Sequence, residues 1–175
     1  ILVLHVGIIG IKEFRRGDFN EQIIPSGCLP IDFNYIALGH YHTATQVTEN
    51  AYYAGSTEYF SFKEAGEQKG FYEIEIDDDL KINFIPLNAR QMLDLGSIDC
   101  SLLSPEEISS EIFQRIEEAS VEGKIARIGL KKIDRGKYKA LDWERIKSAT
   151  STALHFEMTY EFLEMEHELK GKSRI

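Results

Sequence analysis

Apolar positions in this chain fall mainly into short runs and alternations, as strands require, and helical spacing is confined to the C-terminal half. Ile1-Leu2-Val3-Leu4 is a short β-run that delivers His5 at its end, before Val6 and a small-residue turn at Gly7. Tyr35-Ile36-Ala37-Leu38 is a second run and passes straight into Gly39-His40-Tyr41-His42. An apolar run that stops at glycine reads as a buried strand with a tight turn at its carboxyl edge. Residues 10–33 read as a loop, with turn signals at Arg15-Arg16-Gly17-Asp18 and Pro25-Ser26-Gly27 and strand entry after Leu29-Pro30. Thr43 to Thr48 alternates weakly, Tyr52-Tyr53 is a short strand, Gly55-Ser56 turns the chain, and Glu58 to Phe62 continues it. Gly70 to Ile76 alternates apolar and acidic residues, and Leu80 to Ile85 returns as its hairpin partner across Asp77-Asp78-Asp79.

The pattern changes between Pro86 and Leu95, which places a boundary there: a first domain over 1–88, a second over 89–165, and a tail over 166–175. Ser104-Pro105-Glu106-Glu107 is a helix start, with serine at the cap, proline in the first turn and glutamate three residues after the serine. Ile108, Ile112, Phe113, Ile116 and Ala119 then form one stripe, and Gly123 is expected to end the run. Ile125 to Ile133 reads as a strand and Leu141 to Ala149 as a helix with Trp143 and Ile146 facing inward. Leu154 to Phe162 alternates as a half-buried strand, with His155 on its polar face. The second domain is thus a small α+β unit.

Composition narrows the function only slightly. At 175 residues, with 43% hydrophobic and 28% charged residues, the chain is an ordinary globular protein, and no apolar run approaches a membrane span. Cys28 and Cys100 lack a partner pattern and read as free thiols of a reducing compartment, so a cytoplasmic location is expected. The net charge of -9 argues against a general nucleic-acid binder. Residues 124–139, however, carry seven cations against the single acid Asp134. The chain opens on a strand without a methionine or a polar lead, and a missing upstream part is expected.

The candidate chemistry lies in the histidines. Residues i and i+2 of an extended segment point the same way, so His40 and His42 are expected to address one spot. Imidazole is the commonest metal-binding side chain. Ligands of α/β proteins gather at the carboxyl ends of strands, so His5 is expected to join the pair. Asp18 is a weaker candidate because aspartate is common in turns anyway. Asp77-Asp78-Asp79 lacks the alternating spacing of a calcium loop and reads as a solvated hairpin tip. His167, in a charged tail, also reads as solvated.

Taken together, Leu2-Val3-Leu4-His5, the Asp32 to His42 stretch, Tyr53-Ala54-Gly55-Ser56-Thr57-Glu58 and Lys69-Gly70-Phe71-Tyr72 resemble the calcineurin-like metallophosphoesterases. Within them they are most similar to the double-strand-break repair nucleases of the SbcD type, the meiotic-recombination nucleases of archaea and eukaryotes. The likeness runs through residues 1 to about 87. Met92-Leu93-Asp94-Leu95 to Ser104-Pro105-Glu106-Glu107 is similar to the start of that family's capping domain. The resemblance implies an α/β (α+β) chain: part of a metallophosphoesterase β-sandwich flanked by helices, followed by a small α+β capping domain.

It further implies a metal-dependent phosphodiesterase that processes DNA ends by two-metal hydrolysis. Two manganese ions are expected, with iron or zinc as alternatives, His5 and His40 on one ion and His42 on the other. Lys131, Lys132, Arg135 and Lys137 are expected on the DNA backbone. The implied partners are DNA, an SbcC-like ATPase of the structural-maintenance type and a second copy of the chain, in a cytoplasmic, nucleoid-associated setting. The family's Asp-x-His and Gly-Asn-His motifs are not present, and the only Gly-Asp pair is Gly17-Asp18, in the turn after the first strand rather than ahead of it. Three neutral imidazoles cannot balance two divalent ions, and ions about 3.5–4 Å apart need an anionic bridge. The chain alone is therefore expected not to assemble the full site. A phosphoesterase of small phosphodiesters and a non-catalytic dimerisation or partner-binding module are the competing expectations.

Overall fold

The structure is a computed structural model and describes residues 1–11, 22–77 and 79–163. The turn at Arg15 to Asp18, Asp78, His167 and the 166–175 tail lie outside the described residues. The fold is mixed α/β, with four sheets and three α-helices among the described residues. The chain divides into two compact units, Ile1–Met92 and Leu93–Ile175.

In the first unit, β1 (Leu2–His5), β4 (Ile36–Gly39), β5 (Thr45–Gln46) and β6 (Ala51–Tyr53) form a sheet of order β1-β4-β6-β5. Strands β1, β4 and β6 run parallel, and β5 returns antiparallel to β6. Ile36, Leu38, Ala51 and Tyr53 are buried, joined by Ile8 and Leu29 in one core. The Tyr53 hydroxyl, inside that core, donates to the Val6 carbonyl at 2.6 Å, so its one polar atom is satisfied. Two departures from the sequence pattern occur here. Gly7 does not turn the chain: it begins β2 (Gly7–Ile9), which pairs in parallel with β3 (Ile23–Pro25) inside the stretch read as loop. Strands of three residues are too short to show a period. Nor is Glu58 to Phe62 a strand. The Phe60 N–H donates to the Glu64 carboxylate at 3.3 Å, not to a neighbouring strand, and a 3₁₀ turn follows at Phe62–Glu64. The hairpin of β7 (Gly70–Ile76) and β8 (Leu80–Pro86) is antiparallel.

The second unit is one layer of helices on a three-stranded sheet of β9 (Met92–Asp99), β10 (Ile125–Ile133) and β11 (His155–Phe162), with β10 central. Strands β10 and β11 are parallel. The contacts Asp94–Arg127, Ser97–Gly129 and Asp99–Lys132 advance together along β9 and β10, so these two are parallel as well. Strand β9 escaped the sequence reading because Gly96, at φ 75°, shifts its alternation by one residue. Leu93 and Leu95 before it, and Ile98 and Cys100 after it, all reach the core.

Helix α1 (Pro105–Ala119) opens on the expected capping box. The Ser104 hydroxyl accepts from the Glu107 N–H at 3.2 Å, and the Glu107 carboxylate accepts from the Ser104 N–H at 2.8 Å. Ile108, Ile112 and Ile116, spaced by four, are buried. The helix ends before Gly123. Ser120 takes the left-handed conformation at φ 50° and sends Val121 into the core, while Gly123 serves the next turn. After β10 comes a five-residue helix, α2 (Arg135–Lys139), which the sequence pattern did not reveal, and then α3 (Trp143–Ala149). Ile146 of α3 is buried, but Trp143, expected inside, is 37% exposed. Its indole N–H caps the Tyr138 carbonyl at 3.1 Å, which holds the ring at the surface.

Candidate metal centre

His5 closes β1 directly opposite Gly39, the last residue of the parallel strand β4. A Cβ at Gly39 would stand 3.0 Å from His5 Nδ1, so the glycine makes room for the imidazole. His40 follows at once, its ring 5.4 Å from that of His5 in an edge-on arrangement. Two imidazoles from neighbouring parallel strands thus meet at the carboxyl edge of the sheet.

His40 and His42 do not point to one spot by strand alternation. β4 ends at Gly39, and His40 has φ 115°, a region that costs a non-glycine residue about 1–3 kcal/mol. The i, i+2 rule holds only for extended backbone. The His40 ring packs against Tyr41, at 4.8 Å, and against His5, whereas the His42 ring lies 4.6 Å from Phe60.

His42 is held by a charged cluster with no counterpart in the sequence reading. Its Nδ1 is 3.0 Å from Glu64 Oε1. The other Glu64 oxygen is 2.6 Å from the Lys69 ammonium, which also reaches Glu67 Oε2 at 3.0 Å and the His42 carbonyl at 3.1 Å. The Ser56 N–H donates to the same carbonyl at 3.0 Å. Gly55, at φ 80°, allows this approach: a Cβ there would fall 2.8 Å from Ala44 N and 2.9 Å from His42 O. Lys69 is 2% exposed. Burial pushes the Glu64 carboxyl up, but hydrogen bonds from Lys69, His42 and the Phe60 N–H outweigh it and hold the carboxyl below its ordinary value. Burial likewise pushes the Lys69 ammonium down, and the Glu64 and Glu67 carboxylates overcome it and raise its pKa.

Each imidazole suits a ligand role in kind, and His42 has the carboxylate behind its ring that ligating histidines commonly have. They do not suffice in number. Among the described residues, no three His, Cys, Asp or Glu side chains converge closely enough to hold an ion. Glu64, the acid nearest these rings by hydrogen bonding, is engaged at His42 Nδ1 and is not a bridge. Asp18 lies outside the described residues.

The four basic positions separate. Lys132 pairs with Asp99 at 2.8 Å, and that carboxylate raises the lysine's pKa. The Arg135 guanidinium lies over the Phe162 ring at 4.3 Å. Lys137 donates to the carbonyls of Cys100 and Ser101 at 3.2 and 3.1 Å. Lys131 is exposed. A bulge explains this layout: Lys132 takes φ 51°, the register with β11 shifts between Leu130 and Ile133, and Lys131 and Lys132 both fall on the exposed side. Cys28 is exposed and Cys100 buried, both as free thiols. No helix among the described residues is long and apolar enough to cross a membrane.

No protein-family model matches the chain.

Proposed function

We propose that this chain carries part of the metal site of a calcineurin-like metallophosphoesterase, namely a DNA double-strand-break repair nuclease of the SbcD type. The observation that supports it best is the pairing of His5 and His40 at the carboxyl ends of two parallel strands, 5.4 Å apart, with His42, two residues after His40, backed by the buried Glu64 carboxylate. In this reading the first unit belongs to the phosphoesterase β-sandwich, and the second is the capping domain that approaches DNA.

Two manganese ions would supply Lewis-acid activation of water and of the phosphodiester. The contribution of this chain is three neutral donors, His5 and His40 toward one ion and His42 toward the other. In this reading the anionic ligands come from a part of the protein that is not on this chain, so the chain by itself is inactive. Its partners are DNA, an SbcC-like structural-maintenance-type ATPase and a second copy of the chain, in a cytoplasmic, nucleoid-associated setting.

The test is manganese-dependent degradation of double-stranded DNA ends by the polypeptide that carries the complete ligand set. His42→Ala is expected to abolish it, and full activity in that variant would sink the metal assignment. One observation favours a second reading, a phosphoesterase of small phosphodiesters: Lys132, Arg135 and Lys137 are all engaged within their own unit. Salt-sensitive binding of duplex DNA separates the two: its presence supports the nuclease, and its absence supports the small-phosphodiester reading.

A further inference from the structure

A lysine ammonium is rarely found inside a protein, because its desolvation is costly unless several acceptors surround it. Lys69 has such a setting, with Glu64, Glu67 and the His42 carbonyl within 3.1 Å. Two of these three acceptors lead to His42, one through its backbone and one through its ring. Glu64 Oε2 receives the Lys69 ammonium at 2.6 Å and the Phe60 N–H at 3.3 Å. Glu64 Oε1 receives the Ser61 hydroxyl at 3.3 Å and faces His42 Nδ1 at 3.0 Å. A carboxylate facing an ammonium is ionised and only accepts hydrogen bonds, so the hydrogen of the last contact must sit on Nδ1.

We propose that Glu64 is a positioning residue: it holds the neutral His42 ring as the Nδ1–H tautomer and leaves the Nε2 lone pair as the ligating nitrogen. Lys69 fixes Glu64 in turn. Ring and backbone of His42 are thereby anchored to one buried cluster, and the exposed Phe60 ring, 4.6 Å away, covers one side of the imidazole. The ligating role rests on the function proposed above; the tautomer does not.

The substitution Glu64→Gln discriminates sharply. Lys69 and the Phe60 N–H both demand an oxygen at the Oε2 position, so the amide nitrogen of the glutamine must occupy the Oε1 position and donate to Nδ1. The ring proton is then driven to Nε2. Long-range ¹H–¹⁵N correlation on the whole chain, at a pH where the ring is neutral, reads the tautomer directly. Nδ1–H in the parent chain and Nε2–H in Glu64→Gln are the expected result. Nε2–H in the parent chain overturns the proposal and needs no variant, so poor folding of Glu64→Gln cannot shelter it.

Paramagnetic broadening of the His42 ring by Mn²⁺ alone gives the second reading. Glu64→Gln is expected to need about 10–100-fold more metal, the usual effect of losing the group behind a ligating histidine. A Mn²⁺ response that is present in the parent chain and equal in Glu64→Gln overturns the positioning role. An Nδ1–H ring that no Mn²⁺ reaches in the parent chain upholds the positioning by Glu64 and overturns the metal reading instead.

Discussion

The Lys69 ammonium and the Glu64 carboxylate meet at 2.6 Å with their side chains 1% and 10% exposed, so the candidate ligand loop rests on a buried ion pair. Removing one partner of such a pair leaves an uncompensated charge and commonly costs about 3–5 kcal/mol, more than the pair itself contributes. Lys69→Met is therefore expected to destabilise the first unit by about that amount. Adding Glu64→Gln should recover part of the loss, because the stranded carboxylate is gone. Urea unfolding followed by amide exchange in β4 and β6 measures both. A double variant whose loss equals the sum of the losses of Lys69→Met and Glu64→Gln alone would show that the two residues are not coupled.

Stability against pH follows from the directions of the two shifts. The Glu64 carboxyl is held below its ordinary value of 4.5, so its contribution is complete above that value and is lost as pH falls through the lower folded value. Lys69 is raised above 10.5, so its contribution is complete below that value and is lost as pH rises through the folded one. Glu64→Gln removes the acid limb of this dependence. The denaturation midpoint of the first unit should fall less steeply below pH 4.5 in the variant than in the parent chain. Identical acid slopes would assign the limb to other carboxylates.

His5 and His40 could be read from sequence because each ends a short apolar run, and the parallel register then puts them side by side. The α1 cap was equally legible, since a capping box is a local pattern with a local cause. Glu64, Glu67 and Lys69 were not. They lie in the run Lys63-Glu64-Ala65-Gly66-Glu67-Gln68-Lys69, whose composition is that of a solvated loop. Nothing local tells that one of its lysines is buried; the long-range closure of the His42 loop onto it decides that. The positive φ of His40 and the bulge at Lys132 were hidden for a related reason. At His40 and Lys132 the rotation leaves no mark on residue type, whereas Gly96, a glycine between Leu95 and Ser97, is a mark that could have flagged the bulge there.

Gly55 has a sharper requirement than an ordinary turn glycine, because its φ of 80° and its contacts with Ala44 N and His42 O both exclude a side chain. Gly55→Ala should cost about 1–3 kcal/mol through the backbone strain alone. It should also displace the His42 carbonyl from Ser56 and Lys69. Thermal unfolding and the His42 ring shifts report the two effects separately. A variant as stable as the parent, with unmoved ring signals, would show that the turn relaxes without consequence.

In the second unit the Ser104–Glu107 reciprocal bonds satisfy two N–H groups that the first turn of α1 leaves without helical partners. Ser104→Ala should cost about 0.5–2 kcal/mol. Trp143 is the chain's only tryptophan and lies in the same unit, so its fluorescence is a local monitor of that loss. A midpoint unchanged within error would mean that water replaces the cap at no cost.

Lys131 and Lys137 separate charge from structure within the basic stretch. Lys131 is exposed, whereas Lys137 ties α2 to the carbonyls that follow β9. If the stretch tracks a DNA backbone, Lys131→Ala removes one phosphate contact. The slope of log K against log salt for duplex DNA should then become shallower by about 0.9. Stability should stay within about 0.5 kcal/mol, as for surface substitutions in general. Lys137→Ala should instead lower stability by about 1.5–3 kcal/mol, the worth of a charged donor on partly buried carbonyls. Its salt slope should change less than that of Lys131→Ala, because its ammonium is already committed to those carbonyls. The opposite ranking, with Lys137 governing the slope and Lys131 silent, would mean that the ammonium leaves Cys100 and Ser101 to reach phosphate, and that α2 rather than the β10 bulge faces the nucleic acid.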